Sequence, residues 1–122
     1  MLKRLPVKYI RDRCKSAYAK DSACKICGST SGLEFHHYNS MTAMLDRWLR
    51  KKKITIVEVD DILGCRDDFI SDHYEEIYNK TVTLCKSCHA RLHKVYGVKP
   101  SLGTATKQER WVLKQREKNG LD

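Results

Sequence analysis

The segment "VTLCKSCHARLHK", Val82–Lys94, places two cysteines and two histidines within nine residues. All four side chains are potential metal ligands, because thiolate sulfur and imidazole nitrogen both bind divalent cations. They could share one ion, as in a zinc finger, or they could serve two separate centres. The choice between these arrangements decides which fold and which class of function to expect.

A helix that begins near Cys85 would point the two residue types in different directions. Successive residues advance about 100° around a helix axis, so His89 and His93 lie about 40° apart on one face. By the same count His89 is about 100° away from Cys88. We therefore expect the cysteines to face one centre and the histidines to face another.

A second Cys-x-x-Cys pair, Cys24 and Cys27, offers partners for Cys85 and Cys88. Two such knuckles can supply the four thiolates of a tetrahedral structural zinc site, and Gly28 suits the tight turn after the first pair. The pairs are separated by 57 residues, whereas a compact zinc ribbon has roughly 15 to 20. The spacing therefore predicts an insertion between the two halves of the site.

Length and charge favour one compact domain that binds an acidic partner. The chain has 122 residues, a formal charge of +9 and a pI near 9.3. Residues 1–20 and residues 86–122 each carry a net +6, whereas residues 54–79 carry −7. Nucleic acid is the first candidate partner, with phosphate contacts from the two ends and from "RWLRKKK" at 47–53. The alternative is that these residues are simply solvated helix faces.

The absence of certain segments sets further expectations. The first residues contain no apolar stretch typical of a signal peptide, and no run approaches the roughly 18 apolar residues of a membrane span. We expect a soluble, cytoplasmic protein with no membrane partner and with reduced thiols. The unpaired Cys14 and Cys65 are expected to be ordinary buried thiols.

Helix signals define most of the expected organisation. Ser40 can cap a helix whose apolar residues recur at the spacing of one buried stripe. Thr55 with Glu58, and Thr106 with Glu109, form potential capping boxes for two later helices. The stripe after Ser40 consists of Met41, Met44, Leu45, Trp48 and Leu49.

Strand signals are short and occur at "LEF", 33–35, and "TVTL", 81–84. Combined with the helices, they predict an α+β domain over residues 1–122 in five segments. These are a basic N-terminal helix (1–20), a zinc knuckle with a strand (21–39), a helical insertion (40–78), a second strand with the metal-ligand helix (79–97) and a basic C-terminal helix (104–120).

Together, "CKIC" at 24–27, "LEFHH" at 33–37 and "LCKSCHARLH" at 84–93 resemble the motifs of the HNH endonuclease family. The resemblance covers about a third of the chain, and small phage-encoded members are similar in size and charge. It implies a ββα-metal core stapled by a four-cysteine zinc, here with a helical insertion between the two strands.

The resemblance also implies roles for individual residues. His37 would be the general base that activates water, and His36 and His89 would bind a catalytic divalent cation such as Mg²⁺ or Mn²⁺. His93 is a candidate third ligand, because some relatives use a second histidine on this helix and others do not. The family's middle asparagine usually lies where this chain has Lys80, so Asn79, one residue earlier, is assigned that role.

One geometric requirement accompanies these assignments. Neighbouring residues of a regular strand point to opposite faces, so His36 and His37 can serve one cleft only if the strand ends or bulges there. A pair of unrelated polar neighbours is the simpler interpretation of two adjacent histidines. His73, within the acidic insertion, is expected to have a packing or surface role.

The resemblance implies a metal-dependent endonuclease that nicks or cuts duplex or branched DNA. A zinc-stapled nucleic-acid-binding protein with a weak or inactive site is the alternative, and the displaced asparagine is the feature that favours it. A third interpretation is a four-cysteine module for protein contacts, with the acidic insertion as its docking surface. Protein partners from phage DNA packaging or recombination would suit a phage-type nuclease.

Overall fold

A computed structural model describes residues 2–121 and has a small mixed α/β architecture. Its sheet consists of two antiparallel strands, β1 (Leu33–His37) and β2 (Thr81–Cys85). The register runs from Leu33 opposite Cys85 to His37 opposite Thr81. A helix begins immediately after β2, so the Cys-x-x-Cys segment starts at the last residue of the strand, Cys85, and continues into the helix.

Six α-helices surround the strand pair in the described residues. Their bounds are α1 Pro6–Cys14, α2 Met41–Lys52, α3 Val59–Leu63, α4 Arg66–Asp72, α5 Lys86–Tyr96 and α6 Ala105–Lys118. Short 3₁₀ turns follow α1 and precede α6, and a π-helical turn, Glu75–Asn79, precedes β2. None of the described helices is long and apolar enough to cross a membrane.

The predicted cap and buried stripe of α2 are both confirmed. The Ser40 hydroxyl accepts a hydrogen bond from the Ala43 backbone N–H at 3.2 Å, which satisfies one of the donors left free at a helix start. Four residues of the stripe are buried, and Leu49 packs against them. The indole N–H of Trp48 donates to Asp72 at 2.9 Å, so this large side chain is buried without an orphaned donor.

The ends of α1 and α3 differ from the sequence-based expectations. Helix α1 ends at Cys14 rather than near Lys20. A 3₁₀ turn follows, and the backbone at Tyr18 is already in an extended conformation. This turn stacks the Tyr18 ring on Phe35, with centroids 4.5 Å apart. At α3, Asp61 accepts from the Glu58 backbone N–H at 2.9 Å, so the capping pair is Glu58 with Asp61 and not Thr55 with Glu58.

The start of α6 also differs from its predicted capping box. Thr106 lies inside the helix, because α6 begins at Ala105 and Thr104 occupies the cap position. The helix ends at Lys118, two residues before the end of the predicted segment 104–120, and Gly120 then adopts a positive φ of 72° that suits glycine.

Two hydrophobic clusters divide the interior. The first joins α1 to the helical insertion, and the second joins the cysteines and strands to α5 and α6. His73 belongs near the first cluster: it is buried, packs on Phe69 with centroids 4.4 Å apart, and its Nδ1 lies 2.9 Å from the Phe69 carbonyl. These contacts fit a packing role for His73.

The four cysteines of the two Cys-x-x-Cys pairs meet at one point. Their sulfurs all lie within 4.8 Å of one another, and Cys27 Sγ is 3.7 Å from Cys85 Sγ. A tetrahedron with zinc–sulfur bonds of about 2.3 Å has edges of about 3.8 Å, so the spacing fits a metal such as zinc. Gly28, at φ 78°, closes the first knuckle.

Backbone N–H groups donate hydrogen bonds to sulfur atoms of this cluster. The Cys88 N–H donates to Cys85 Sγ at 3.5 Å at the N-terminus of α5, where the helix dipole favours negative charge. Burial raises the pKa of Cys24, but hydrogen bonds from backbone N–H groups, that of Cys85 foremost, outweigh burial and bring the pKa to about 7. Cys24 therefore favours the deprotonated sulfur that binds zinc, whereas burial raises the pKa of Cys88.

Replacing Cys85 should remove both metal and stability. We expect Cys85→Ser to lower zinc stoichiometry towards zero and to reduce the melting temperature by about 10 °C or more, because zinc binding is coupled to folding. Elemental analysis and thermal unfolding measure the two effects. Cys65→Ser, which alters a buried thiol outside the cluster, should retain zinc. Equal zinc content in both variants would refute a metal site at the four cysteines.

Candidate active site

A cavity of about 480 Å³ lies between β1, α5 and α1. It brings together the histidines of both motif regions, two aromatic side chains and three basic residues. The members used below are Arg11, Lys15, Tyr18, Phe35, His36, His37, His89, His93 and Lys99.

Three histidines direct ring nitrogens at one another within this cavity. Helix α5 presents His89 and His93 four residues apart on one face, and β1 supplies His36 from across the sheet. His36 Nδ1 lies 3.0 Å from His89 Nε2, and His93 Nε2 also lies 3.0 Å from His89 Nε2. The side chain of Cys88, the residue before His89, belongs to the cysteine cluster instead.

The outer nitrogen of each ring faces an oxygen atom, which settles where its proton sits. An oxygen acceptor requires an N–H donor, so in each neutral ring the inner nitrogen carries a lone pair. These oxygen partners, each at 2.8 Å, are Gln108 Oε1 for His36, Glu34 Oε1 for His89 and the Gly97 carbonyl for His93. Burial also lowers the pKa of His36 to about 4, which keeps that ring neutral.

Three converging lone pairs form a donor set suited to a divalent cation. A cation about 2.1 Å from two nitrogens that are about 3.0 Å apart would bind them at an angle of about 90°, the angle between neighbouring octahedral ligands. Neutral imidazole nitrogens at this spacing repel one another unless a positive charge lies between them. The side chains of His36, His89 and His93 therefore fit a metal ion.

His37 lies in the same cavity but does not join the three-histidine cluster. Its ring packs edge-on against Tyr18 and Phe35, with centroids 5.1 and 5.2 Å away. Burial lowers its pKa to about 4, partly offset by a backbone hydrogen bond at Ile77. Within residues 2–121, its buried Nε2 has no hydrogen-bond partner. The neutral ring thus keeps a lone pair on Nε2 that no described residue uses, although this nitrogen has almost no exposed surface of its own.

The strand does not bulge to bring His36 and His37 into one cavity. The pairing with β2 is regular through both residues, so their side chains leave opposite faces of β1. A cavity that both residues line must therefore pass around β1 where the strand ends, because His37 is its last residue. The expectation that the strand ends or bulges at this point is met by the end of the strand and not by a bulge.

Asn79 lies apart from these histidines. Its amide donates to Glu75 Oε2 at 2.7 Å, and its side chain lines a different cavity with Tyr74 and Tyr78. The neighbouring Lys80 contributes its backbone carbonyl, which accepts from the Tyr38 N–H at 3.1 Å. The structure therefore brings together His36, His37, His89 and His93 and leaves Asn79 outside.

Sequence reasoning missed the oxygen partners of the three rings. Glu34 could have been found, because it stands two residues before His36 and so projects from the same face of the strand. Gln108 carries no such signal: it is one polar residue in a basic helix, 72 positions from His36. Only its complete burial distinguishes it.

Comparisons with known proteins agree with a nuclease site. A model of the phage T5 nicking endonuclease family, described as a nicking endonuclease family, matches residues 1–121. "Putative COX1/OXI3 intron 2 protein" of Saccharomyces cerevisiae is 25% identical over 87 residues, which cover 71% of this chain but 8% of that protein. No solved structure matches the chain. Because the family match spans almost all residues, the chain belongs to the nicking endonuclease family.

Proposed function

We propose that the protein is an HNH-type, metal-dependent endonuclease that hydrolyses a phosphodiester bond of DNA. In this proposal His36, His89 and His93 hold the catalytic cation and His37 is the general base. The observation that carries it is the juxtaposition, in one cavity, of three imidazoles with converging nitrogens and a fourth whose buried nitrogen has no partner among the described residues. Membership of the nicking endonuclease family supports the substrate class.

The chemistry divides between the cation site and His37. A divalent cation supplies positive charge against the phosphate and the leaving oxygen. His37 Nε2 accepts a proton from the attacking water, because its ring is neutral. Since this nitrogen is buried, neighbouring side chains must move to admit the water. Tyr18 and Phe35 hold this ring in place by edge-on packing. His37 can therefore act on water without being a ligand of the cation.

The donor set favours some cations over others. Mg²⁺ prefers oxygen ligands and keeps several waters, whereas imidazole nitrogen suits transition metals. Three histidine ligands therefore favour Mn²⁺ or a later transition metal over Mg²⁺. The separate four-cysteine cluster, with soft sulfur ligands, suits zinc as a structural ion.

Basic residues on two sides of the cavity offer contacts to DNA phosphates. Arg11 and Lys15 come from the end of α1, and Lys99 comes from the chain after α5. Lys15 has only a distant ion pair, 3.8 Å from Asp12, between exposed side chains. One DNA strand that passes between these residues would place a phosphate near the four histidines.

A catalytically weak nucleic-acid-binding protein is the second candidate. The position of Asn79 favours it, because this side chain bonds to Glu75 and does not reach the histidines. The two candidates differ in one measurable property, which is DNA cleavage by the metal-loaded protein.

Removal of the general base should abolish cleavage without unfolding the protein. We expect His37→Ala to lower the nicking rate of supercoiled plasmid with Mn²⁺ by at least about 100-fold. Its zinc content should be unchanged, because the His37 side chain belongs to neither the four-cysteine group nor the three-histidine group. His73→Asn, at a buried histidine outside the cavity, is the control and should still nick. Equal nicking by wild type and His37→Ala would overturn the assignment.

Loss of a phosphate contact should weaken DNA binding and its dependence on salt. Arg11→Gln and Lys99→Gln should each reduce the salt slope of log K by about one, as expected when one contact is lost. Fluorescence anisotropy in the His37→Ala background measures binding without cleavage. The matched control is Arg13→Gln, since Arg13 lies outside the cavity and pairs with Asp67 at 3.1 Å. Unchanged slopes in both cavity variants would place the DNA elsewhere.

A further inference from the structure

Gln108 is a polar side chain with no exposed surface, and it comes from the C-terminal helix rather than from any motif segment. A buried amide is stable only where both its oxygen and its two N–H groups find partners. For Gln108 all of these partners can be identified, and together they determine which way the amide points.

The amide nitrogen of Gln108 has two acceptors. It donates to the Tyr38 backbone carbonyl at 3.1 Å and to Thr104 Oγ1 at 3.0 Å. The carbonyl can only accept, and the Thr104 hydroxyl already donates its own proton to the Ser101 carbonyl at 2.7 Å. Both N–H groups of the amide are therefore committed, and the amide cannot flip.

This orientation leaves Gln108 Oε1 facing His36 Nε2 at 2.8 Å. An amide oxygen in this position accepts a hydrogen bond from the His36 Nε2–H and cannot donate one. His36 must then keep its lone pair on Nδ1, the atom that lies 3.0 Å from His89 Nε2. The backbone carbonyl of Tyr38 thus determines the direction of a lone pair on the other side of Gln108.

We propose that Gln108 is a positioning residue that fixes the tautomer of His36 and directs its Nδ1 lone pair towards the cation. This inference rests on the proposed three-histidine cation site and deepens it, because it makes helix α6 part of that site. Loss of a residue that accepts a hydrogen bond from the second nitrogen of a metal-binding histidine typically lowers metal affinity by about 10- to 100-fold.

Two substitutions at Gln108 separate the acceptor from the rest of the side chain. Gln108→Met and Gln108→Glu both lose the N–H donors to Tyr38 and Thr104, but only methionine also loses the oxygen acceptor for His36. Any general weakening of the packing should therefore affect both variants. A difference between them in cation affinity reports the acceptor alone.

The experiment is Mn²⁺ titration of the full-length, zinc-loaded chain by calorimetry, with no DNA present. We expect Gln108→Met to weaken Mn²⁺ binding by about 10- to 100-fold and Gln108→Glu to stay within about threefold of wild type. Thr104→Val, which leaves Oε1 in place, should also bind like wild type. If the methionine variant does not fold, Gln108→Asn replaces it, because the shorter amide cannot span from His36 to the Tyr38 carbonyl.

Three other outcomes would overturn the inference. Wild-type affinity in Gln108→Met would show that no acceptor is needed, and equal weakening in the methionine and glutamate variants would leave Gln108 a structural role only. His89→Ala tests the underlying site: if it binds Mn²⁺ as wild type does, the three-histidine site fails and this inference falls with it. Weak binding by His89→Ala together with wild-type binding by Gln108→Met would reject the inference alone.

Discussion

The meeting of four cysteine thiols constrains the rest of this structure. It ties the first knuckle to the start of α5, although the two pairs are separated by 57 residues of sequence. The same junction holds β1 beside β2, with the Lys25 N–H bonded to the Thr83 carbonyl at 3.0 Å and the Lys86 N–H to the Gly32 carbonyl at 2.9 Å. Because β1 carries His36 and α5 carries His89, the distance between these histidines depends on the four-cysteine cluster.

Helix α5 serves two centres because its periodicity turns adjacent residues in different directions. Cys88 faces the sulfur cluster, and the next residue, His89, faces the histidine cluster. The two donor sets differ in chemistry as well as position: soft sulfurs at one, imidazole nitrogens at the other. One short helix thus contributes to both the cysteine cluster and the histidine cluster. Any shift of its N-terminus would displace Cys88 and His89 together.

Segments outside the motif regions complete the cavity. Helix α1 brings Arg11 to its rim and leads into Tyr18, which packs on His37. Helix α6 brings Gln108 to His36. The insertion builds its own hydrophobic cluster with α1, so it supports the wall that carries Arg11 rather than merely lengthening the loop between the strands. In our proposal, the basic ends of the chain belong to the site as well as to its electrostatic field.

The sequence by itself determined the features that depend on spacing along one element. The two Cys-x-x-Cys pairs predicted a common sulfur site, the stripe after Ser40 predicted the buried face of α2, and helical periodicity placed His89 and His93 on one side of α5. Local geometry suffices for these because one helix or one knuckle sets the angles. The capping boxes at Thr55 and Thr106 were wrong: Glu58 and Asp61 form the box at α3, and α6 begins one residue before Thr106.

Only the tertiary structure decided the relations between elements. It placed His36 and His37 in one cavity where β1 ends, kept Asn79 away from these histidines, and brought Gln108 against His36. The contact of Gln108 with His36 spans 72 positions and does not follow from residue spacing. The bond from Asn79 to Glu75 is local, but its distance from the histidines depends on how the elements pack. The metal-ligand types were therefore readable in the sequence, whereas the groups that orient them became visible only once the chain was folded.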